Sequence, residues 1–237
     1  MQDNLSKTET VNWGIITGSM HENGYAVIPR FLNPAQCEEL KATYNDPGIF
    51  RKTVVMERYR FGLGEYKYYD YPLPGLIQQI RDSIYPKLVP IANSWMSVLK
   101  IDTRFPNTLR ELHALCRADG QLKPTPLILK YSKGGYNTLH QDLYGDLYFP
   151  IQLVLFLNEP GEDFKGGEFI LIQQHPRAQS KAVVLNPKKG DLLAFTTNFR
   201  PVKGSKGYYR ANMKHGVSEV RDGERYTVGI IFHDALS

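Results

Sequence analysis

The sequence predicts an α+β fold in which helices of the N-terminal half pack against a β-sandwich or barrel formed by the second half. From Pro126 onward, short apolar and β-branched runs recur between turn signals, at residues 127–132, 150–157, 168–173, 182–185, 191–196, 212–220 and 225–233. Many short strands at this spacing are typical of an antiparallel sandwich or barrel. Before Pro126, most apolar residues follow helical spacing instead.

Two helices of the first half carry start signals, and a strand at 24–29 precedes them. Asn33 followed by Pro34 places an N-cap and a first-turn proline before a helix that should bury Cys37, Leu40 and Tyr44. The run from Thr108 to Glu111 has the spacing of a capping box, and Gly120 is the expected end of that helix.

The longest helical pattern runs from Pro74 to Leu99. Its apolar positions recur at helical spacing: Leu76, Ile77, Ile80, Ile84, Leu88, Ile91 and Trp95. Pro86 and Pro90 interrupt this pattern. Because an interior proline lacks an N–H donor and clashes with the preceding turn, we expect two separate or kinked helical pieces.

Length and composition predict one globular domain. The chain has 237 residues, and we expect a single domain over 1–237, with 1–125 as a mainly helical support and 126–237 as the β core that carries the site. Hydrophobic residues make up 42%, which argues against disorder. No apolar run approaches the length of a membrane span.

The start of the chain and its cysteines predict a cytoplasmic protein. Met1 to Lys7 lack the basic-then-apolar pattern of an export signal. Cys37 and Cys116 are the only cysteines and lie far apart. This usage favours free, buried thiols in a reducing compartment over a disulfide framework.

His140 and Asp142 form an H-x-D pair between two apolar runs. On a strand, residues i and i+2 point to the same face, so both side chains could reach one metal ion while Gln141 turns away. Such a pair often arises by chance. The alternative is a surface histidine beside an aspartate that accepts a loop hydrogen bond. The choice between a metal-binding pair and a surface pair depends on residues later in the chain.

His215 and Arg225 lie in the last predicted strands. Two histidines and one carboxylate are the ligand set of the facial triad that holds non-haem Fe(II) and leaves positions open. Asp222-Gly223 is a turn signal, so we expect His215 and Arg225 on neighbouring antiparallel strands, with Arg225 opposite Val220. The planar donors of Arg225 match a carboxylate bidentately. A solvated arginine near a turn is the alternative.

Further motifs strengthen a family resemblance. Gly166-Gly167-Glu168 and Lys189-Gly190-Asp191 each open an apolar run, and the tail runs from His215-Gly216-Val217 to Gly223-Glu224-Arg225. With the H-x-D pair, these resemble the 2-oxoglutarate/Fe(II)-dependent oxygenases. More narrowly, the chain resembles an uncharacterised bacterial branch with a proposed role on damaged nucleic acid and a site spacing like that of prolyl hydroxylases. The resemblance is densest from Pro124 to Ala235 and implies a double-stranded β-helix, or jelly-roll, core.

The resemblance implies an activity and a set of site residues. Fe(II) would be bound by His140, Asp142 and His215, and Arg225 would fix the far carboxylate of the co-substrate 2-oxoglutarate. Tyr131 matches a position where prolyl hydroxylases place a pocket tyrosine. The implied reaction uses O2 to hydroxylate or oxidatively demethylate a substrate C–H bond and releases succinate and CO2, with ascorbate as a candidate reductant.

The sequence leaves the primary substrate open. Residues 177–225 hold eleven Lys and Arg against four Asp and Glu, a local charge of +7. This charge is equally compatible with binding of an alkylated nucleic acid and with lysines that only keep surface loops soluble. The nucleic-acid dealkylases carry a second arginine six residues after the co-substrate arginine, and Ile231 stands at that position here. A protein hydroxylase of the prolyl type and a small-metabolite hydroxylase are therefore alternatives. A non-catalytic, metal-binding cupin-like protein is the alternative from another class.

Two further groups of residues have two interpretations each. The cation–aromatic clusters 58–61 and 66–71 could stack bases, although packing against the sheet is the expectation for most of their rings. His233-Asp234 could contact substrate, although a locally hydrogen-bonded pair at a strand end is favoured. His113 is expected to be structural, and His21 and His175 to be solvated.

Overall fold

The computed structural model describes residues 3–175 and 178–236 of the chain. Within them, the helices are α1 (Asp3–Thr10), α2 (Trp13–Asn23), α3 (Pro34–Ala42), α4 (Gly75–Val98) and α5 (Leu109–Ala118). Short 3-10 turns span Thr43–Asn45, Pro47–Ile49 and Met56–Tyr59. The capping boxes predicted for α3 and α5 are both formed, by Asn33 with Gln36 and by Thr108 with Glu111.

The strands of the described residues make up most of the second half of the chain. They are β1 (Tyr25–Ile28), β2 (Phe50–Val55), β3 (Gly62–Leu63), β4 (Glu65–Tyr69), β5 (Leu127–Tyr131), β6 (Tyr136–His140), β7 (Ile151–Phe156), β8 (Phe164–Gly166), β9 (Phe169–Gln174), β10 (Lys181–Leu185), β11 (Leu192–Thr196), β12 (Phe199–Gly204), β13 (Gly207–Val217), β14 (Val220–Gly223) and β15 (Arg225–Ile230).

These strands form two main antiparallel sheets, which confirms the α+β prediction. One sheet has seven strands in the order β1-β11-β7-β15-β5-β4-β2. The other has the order β10-β9-β13-β6-β3, with β12 paired to β13, and β14 pairs with β8 in a small ribbon. Since β1 to β4 precede residue 126, both parts of the chain contribute to the sheets. The single-domain assignment stays a prediction.

The seven-stranded sheet is buried on both faces. Alternate side chains of β7, Ile151, Leu153 and Leu155, pack into the helical core, while Gln152 and Val154 line a cavity on the other face. The same period of two holds on β5 and β15, where Ile128, Val228 and Ile230 face the helices and Leu127, Leu129, Tyr131, Arg225, Thr227 and Gly229 face the cavity. This alternation positions the site.

The helices cover the outer face of this sheet. Cys37 and Leu40 of α3 and Leu112 and Cys116 of α5 join one core cluster with the buried side of α4. Both cysteines are free and buried, as predicted. None of the helices in the described part of the chain combines the length and the apolar character that crossing a membrane requires.

The predicted break in the long helix is wrong. Helix α4 runs without interruption through Pro86 and Pro90. Twelve of its 24 residues are buried, among them Arg81 and the fully buried Trp95. We attribute the continuity to this tertiary packing, which can outweigh the lost backbone donors and the local strain at the two prolines.

The predicted pairing of the last two strands is also wrong. β13 and β15 belong to different sheets, and Arg225 lies opposite Tyr131 rather than Val220. Asp222 and Gly223 are part of β14, where they pair with Lys165 and Phe164 of β8. The chain thus crosses from one sheet to the other between His215 and Arg225, and a local turn signal cannot reveal such a crossing.

Candidate metal and co-substrate site

The side chains of His140, Asp142 and His215 meet at one point between the two sheets. Their ligand atoms all lie within 4.8 Å of one another. Asp142 Oδ1 is 3.5 Å from His140 Nε2, and Asp142 Oδ2 is 3.3 Å from His215 Nε2. His140 and His215 face each other in the register of β6 and β13.

The strand-face argument for the H-x-D pair needs a correction. β6 ends at His140, and Asp142 lies in the connection that follows rather than on the strand. Gln141 does turn away, because its Nε2 donates to the carbonyl oxygens of Asn198 and Met213, each at 2.8 Å. The Asp142 backbone is held in place by Thr197, whose hydroxyl accepts from the Asp142 N–H at 3.1 Å.

Hydrogen bonds orient the candidate ligands. His140 Nδ1 lies 2.7 Å from the carbonyl oxygen of Thr138. Because a carbonyl only accepts, Nδ1 carries a proton in both the charged and the neutral ring, and in the neutral ring the lone pair of Nε2 is free for a metal. Tyr144 Oη donates to Asp142 Oδ1 at 3.0 Å and Gln152 Nε2 donates to Asp142 Oδ2 at 2.9 Å, so both carboxylate oxygens are held.

Electrostatics favour the ligating forms of Asp142 and His215. Burial alone would raise the pKa of Asp142, but the charge of His140 and hydrogen bonds from both histidines outweigh it and hold the pKa well below its usual range. Burial, together with the charge of His140, lowers the pKa of His215. Asp142 and His215 are therefore a carboxylate and a neutral imidazole, the forms that bind a divalent metal. Asp142 has the opposite effect on its other neighbour: against the effect of burial, its charge and hydrogen bond raise the pKa of His140, so this ring would release a proton when a metal binds.

A cavity of about 240 Å³ lies between the two sheets and contains the triad. Residues of both sheets line it, including Leu129, Val154, Phe169 and Val217, so most of its wall is apolar. Ile231 is part of this wall and is buried. The cavity can exclude water around a small polar ligand that has its own charged partners.

Arg225 supplies a charged group on the wall of this cavity. Its side chain is only 2% exposed, and its Nε and Nη1 atoms have no hydrogen-bond partner among the described residues. The guanidinium carbon lies 5.6, 5.5 and 5.9 Å from the ring centroids of Tyr131, Phe156 and Phe164. Burial lowers the pKa of Arg225 to about 10, so the group is still protonated at neutral pH.

Gly167 gives the arginine room. A Cβ at this position would lie 2.9 Å from Arg225 Cδ, and the residue has φ +65°, in the left-handed region. Glycine is the residue that adopts this conformation without a side-chain clash. The Gly166-Gly167 motif of the sequence thus belongs to the construction of the Arg225 pocket.

Tyr131 lies beside Arg225, and Asn137 fixes the direction of its hydroxyl. Tyr131 is fully buried, and its Oη accepts from Asn137 Nδ2 at 3.2 Å. Because that lone pair is used, the phenolic O–H is available as a donor to a ligand in the cavity. Burial raises the pKa of Tyr131 to about 12, which keeps the hydroxyl protonated.

The remaining histidines lie outside the triad. His113 Nε2 lies 2.9 Å from the Phe232 carbonyl and has the structural role that the sequence predicted. His21 is exposed, yet it accepts from the indole N–H of Trp95, and His175 contacts Gln173 and Tyr209, so neither is only solvated.

His233 and Asp234 are a buried local pair. His233 Nδ1 accepts from the Phe149 N–H at 3.1 Å, and Asp234 contacts Arg81 and Tyr71. Neither residue lines the cavity, which supports the local rather than the substrate-contact interpretation. Of the cation–aromatic clusters, Phe61, Tyr66 and Tyr68 reach the cavity wall.

Within the basic residues 177–225, residues 199–212 form a hairpin of β12 and β13. Lys203, Lys206 and Arg210 are exposed on it, but none of them lines the cavity. Arg200 is buried and donates to Gln173 Oε1 at 2.9 Å, so it is not one of the surface cations of the basic residues 177–225.

Sequence reasoning missed three residues that shape the site: Gln152, Tyr144 and Asn137. Gln152 had a visible signal, because it is the one polar residue in the apolar run of β7 and is 4% exposed. A buried polar side chain in a central strand needs a partner, and here that partner is Asp142. Asn137 and Tyr144 had no comparable signal in their polar surroundings.

Several solved structures share the fold of this chain at low sequence identity. A prolyl-4-hydroxylase of Pseudomonas putida superposes with a TM-score of 0.57 at 15% identity, covering 94% of this chain and 100% of that chain. An oxidoreductase of the 2OG-Fe(II) oxygenase family from Burkholderia pseudomallei gives 0.55 at 14% identity, covering 95% and 93%. A Trichoplax adhaerens prolyl hydroxylase, in complex with a hypoxia inducible factor peptide fragment, gives 0.54 at 17% identity, covering 99% and 94%. The predicted double-stranded β-helix core is confirmed.

Sequence comparison narrows the assignment. The model of a family described as an oxygenase, catalysing oxidative methylation of damaged DNA, matches residues 64–235, so the chain belongs to this family. An uncharacterized protein of Mycobacterium tuberculosis, present in two strains, is 45% identical over 164 residues, which is 69% of this chain and 70% of the relative. Together, the fold, the triad and the family confirm the predicted class, a 2-oxoglutarate- and Fe(II)-dependent oxygenase, for which Fe(II), 2-oxoglutarate and O2 are the expected cofactors.

Proposed function

We propose that the cavity binds Fe(II) through His140, Asp142 and His215 and 2-oxoglutarate through Arg225 and Tyr131, in order to oxidise an alkylated nucleic acid. One observation carries the co-substrate assignment: a buried guanidinium with two unpartnered nitrogen atoms lies on the wall of the cavity that contains the triad. An unpaired buried cation is costly, so the pocket is suited to a ligand with a carboxylate.

The donor set fits the metal. Two imidazoles and one carboxylate are the facial ligands of non-haem Fe(II), and the open cavity beside them leaves room for further ligands. Tyr144 and Gln152 hold the carboxylate, and Thr138 holds His140, so two of the three ligands are positioned by hydrogen bonds. The third, His215, packs against the rings of Phe169 and Phe195. When bound, Fe(II) and 2-oxoglutarate supply the oxidising chemistry, which converts 2-oxoglutarate and O2 to succinate and CO2 and inserts one oxygen atom into a substrate C–H bond.

The chain's own residues position and protect the reactants. Arg225 and the Tyr131 hydroxyl would fix the far carboxylate of 2-oxoglutarate and leave its keto-acid end directed toward the triad. The apolar wall of Leu129, Val154 and Ile231 excludes water from the same space. The protein thus provides orientation and a dry cavity, and the metal and keto acid provide the chemistry.

Two observations support nucleic acid as the substrate. The family is described by an activity on damaged DNA. The basic hairpin, residues 199–212, carries Arg200, Lys203, Lys206 and Arg210 and contains no acidic residue. Its exposed cations would attract phosphates, although they lie outside the cavity and so contribute to binding rather than to chemistry.

The experiment that tests the function is a succinate-release assay. Purified protein with Fe(II), 2-oxoglutarate and ascorbate is supplied in parallel with methylated oligonucleotides, proline-containing peptides and free amino acids. We expect succinate and formaldehyde in stoichiometric amounts with the methylated oligonucleotide, and His140→Ala should abolish both. Stimulation by a peptide or an amino acid alone would replace nucleic acid by a protein or metabolite substrate. No succinate under any condition would contradict the oxygenase activity itself.

A further inference from the structure

The mouth of the cavity carries two exposed aromatic rings that neither the metal site nor the co-substrate pocket uses. Tyr59 is 55% exposed and Phe61 is 45% exposed. Their ring centroids lie 5.5 Å apart with an interplanar angle of 18°, so the rings are stacked. Phe61 also lines the cavity together with His140 and the exposed Leu143. Phe61 is thus both exposed to solvent and part of the wall of the cavity that contains the triad.

Hydrogen bonds tie the backbone of Phe61 to the strand that carries His140. The carbonyl oxygen of Phe61 accepts from both the N–H and the hydroxyl of Thr138, each at 2.9 Å. Thr138 in turn accepts the Nδ1 proton of His140 on its own carbonyl. On the other side, the Phe61 N–H donates to the carbonyl of the fully buried Met56 at 3.1 Å. One hydrogen-bonded path thus connects the exposed ring to a candidate metal ligand.

Two cations flank the rings. Arg58 and Arg60 are both exposed, and neither forms an ion pair with an acidic side chain of the described residues within 4.0 Å. Arg60 is held at φ 60°, in the left-handed region, where the chain reverses between the two rings. Arginines without ion-pair partners beside exposed rings are available to anions, whereas a surface that packs only apolar partners does not need them.

We propose that Arg58, Tyr59, Arg60 and Phe61 form a ring platform that binds unpaired nucleotides of a single-stranded or locally opened nucleic acid beside the cavity. Aromatic rings stack on bases of any sequence, and arginines bind the phosphates between them. Bases inside an intact duplex are already stacked and cannot lie on the platform, so it selects unpaired nucleotides. This inference rests on the proposed function. It adds that the nucleic acid is bound where its nucleotides are unpaired, and that residues 58–61 bind them.

The test measures the affinity of the full-length protein for a fluorescein-labelled single-stranded 12-nucleotide oligothymidylate by fluorescence anisotropy. Replacing both rings, Tyr59→Leu with Phe61→Leu, keeps apolar volume and removes stacking, and we expect an affinity about tenfold lower or weaker still. The slope of log affinity against log salt should stay unchanged. Arg58→Gln with Arg60→Asn keeps the rings, and we expect the slope to become less steep by about 1.4, since each lost phosphate contact accounts for about 0.7. Asparagine is chosen at 60 because it tolerates the left-handed conformation.

A matched control lies on α5, which contributes nothing to the cavity. Arg110 and Leu115 are exposed there, and Arg110→Gln with Leu115→Ala should bind as wild type does. Thermal unfolding checks that each variant folds. If the double leucine variant does not fold, the single variant Tyr59→Leu is measured in its place. Wild-type affinity in the leucine variant, or equal affinity for a blunt duplex of the same length, would overturn the platform and leave a nucleic-acid substrate standing. No binding of the oligonucleotide by the wild type at low salt would overturn both.

Discussion

At the scale of single residues, Arg225 combines complete burial with a full charge. Its guanidinium is surrounded by the rings of Tyr131, Phe156 and Phe164, and the described residues offer no carboxylate within ion-pair distance. Transferring an unpaired cation from water into such a site costs several kcal/mol unless a ligand pairs with it. The folded protein therefore carries a destabilising group whose benefit we assign to co-substrate binding.

This cost gives Arg225 opposite effects on stability and on function. Arg225→Met should leave the unfolding temperature of the ligand-free protein unchanged or raise it, because a buried unpaired charge is removed. The same variant should raise the KM for 2-oxoglutarate about 100-fold, since a charge-assisted hydrogen bond contributes roughly 1.5–3 kcal/mol. Arg225→Lys keeps the charge but loses the planar, bidentate donors of the guanidinium, and it should raise the KM for 2-oxoglutarate about tenfold. Unfolding curves and succinate assays measure both effects, and a KM within twofold of wild type in the methionine variant would refute the assignment.

Tyr131 and Asn137 should act on the co-substrate as one unit. Tyr131→Phe removes the donor, and we expect the KM for 2-oxoglutarate to rise about five- to tenfold with kcat largely kept, as for one lost hydrogen bond. Asn137→Asp offers the tyrosine an acceptor that draws its proton away from the cavity, so it should raise KM in the same way. In the double variant the two effects should not add, because both act through one hydroxyl. Additive effects would show that Asn137 does not work through Tyr131.

At the scale of elements, β13 is the strand that connects the proposed substrate surface to the site. It pairs with β12 in the basic hairpin at one end and carries His215 at the other. His215 packs against Phe169 of the neighbouring strand β9 and against Phe195 of β11 in the other sheet, with ring centroids 5.9 and 4.8 Å away. Only the exposed end of the strand is free to change without disturbing the triad.

Charge reversal on the hairpin tests its role in binding. Lys203→Glu with Lys206→Glu should lower the affinity for a single-stranded oligonucleotide and reduce the salt slope by about 1.4, as expected for two lost phosphate contacts. Arg200 is unsuited to this test, since its buried side chain bonds to Gln173. Lys87→Glu with Lys100→Glu, which changes an exposed lysine of α4 and an exposed lysine in the turn after it, is the matched control. Equal loss in both variants would mean that net charge alone, and no hairpin contact, governs binding.

The elements show how far local sequence signals reach. The caps of α3 and α5 and the apolar strands β5, β7, β9, β10, β11 and β15 were predictable, because capping boxes and short apolar runs are local patterns. β6 was not predicted as a separate strand, since its polar, partly exposed sequence Tyr136–His140 shows no alternation of apolar and polar residues. The continuity of α4 was missed for the opposite reason, because packing against the sheet overrode the local effect of its prolines.

The sequence predicted which side chains would converge better than it predicted how the fold brings them together. The spacing of His140, Asp142 and His215 indicated the chemistry, and their convergence is a geometric fact of the fold. The positions of two residues in the fold differ from the prediction. Asp142 lies after the end of β6 rather than on it, and Arg225 reaches the cavity from the opposite sheet. Pairing between strands distant in sequence depends on the whole chain, so a turn dipeptide could not reveal it.

At the scale of the whole molecule, the C-terminal segment is fastened to the helices through buried polar groups. Arg81 of α4 donates to the Phe232 carbonyl at 2.9 Å and lies 3.5 Å from Asp234. His233 lies between Phe232 and Asp234 in the sequence. It is fully buried, and its Nε2 has no hydrogen-bond partner among the described residues. Burial, with the nearby charge of Arg81, lowers the pKa of His233 to about 3.

This buried neutral histidine should make the fold sensitive to acid. Between pH 6.5 and 3 the unfolded chain binds a proton at His233 and the folded chain does not, so stability is lost as pH falls through this range. From pH 7 to pH 5 we expect His233 to account for about 2 kcal/mol of the loss in unfolding free energy. His233→Asn keeps an acceptor for the Phe149 N–H and does not titrate, so its stability should fall less over the same interval. Urea unfolding at the two pH values gives the difference, and identical losses in both proteins would contradict this account.

The central claim, that the triad and Arg225 form one metal and co-substrate site, is tested most directly by anaerobic titration of Fe(II) in the presence of 2-oxoglutarate. The visible charge-transfer absorption of the Fe(II)–keto-acid chelate reports both ligands at once. We expect saturation at one equivalent of iron in the wild type, no absorption in Asp142→Ala or His215→Ala, and in Arg225→Lys the same final absorption at about tenfold more 2-oxoglutarate. Full absorption at one equivalent in His215→Ala, or an unchanged 2-oxoglutarate requirement in Arg225→Lys, would contradict the claim.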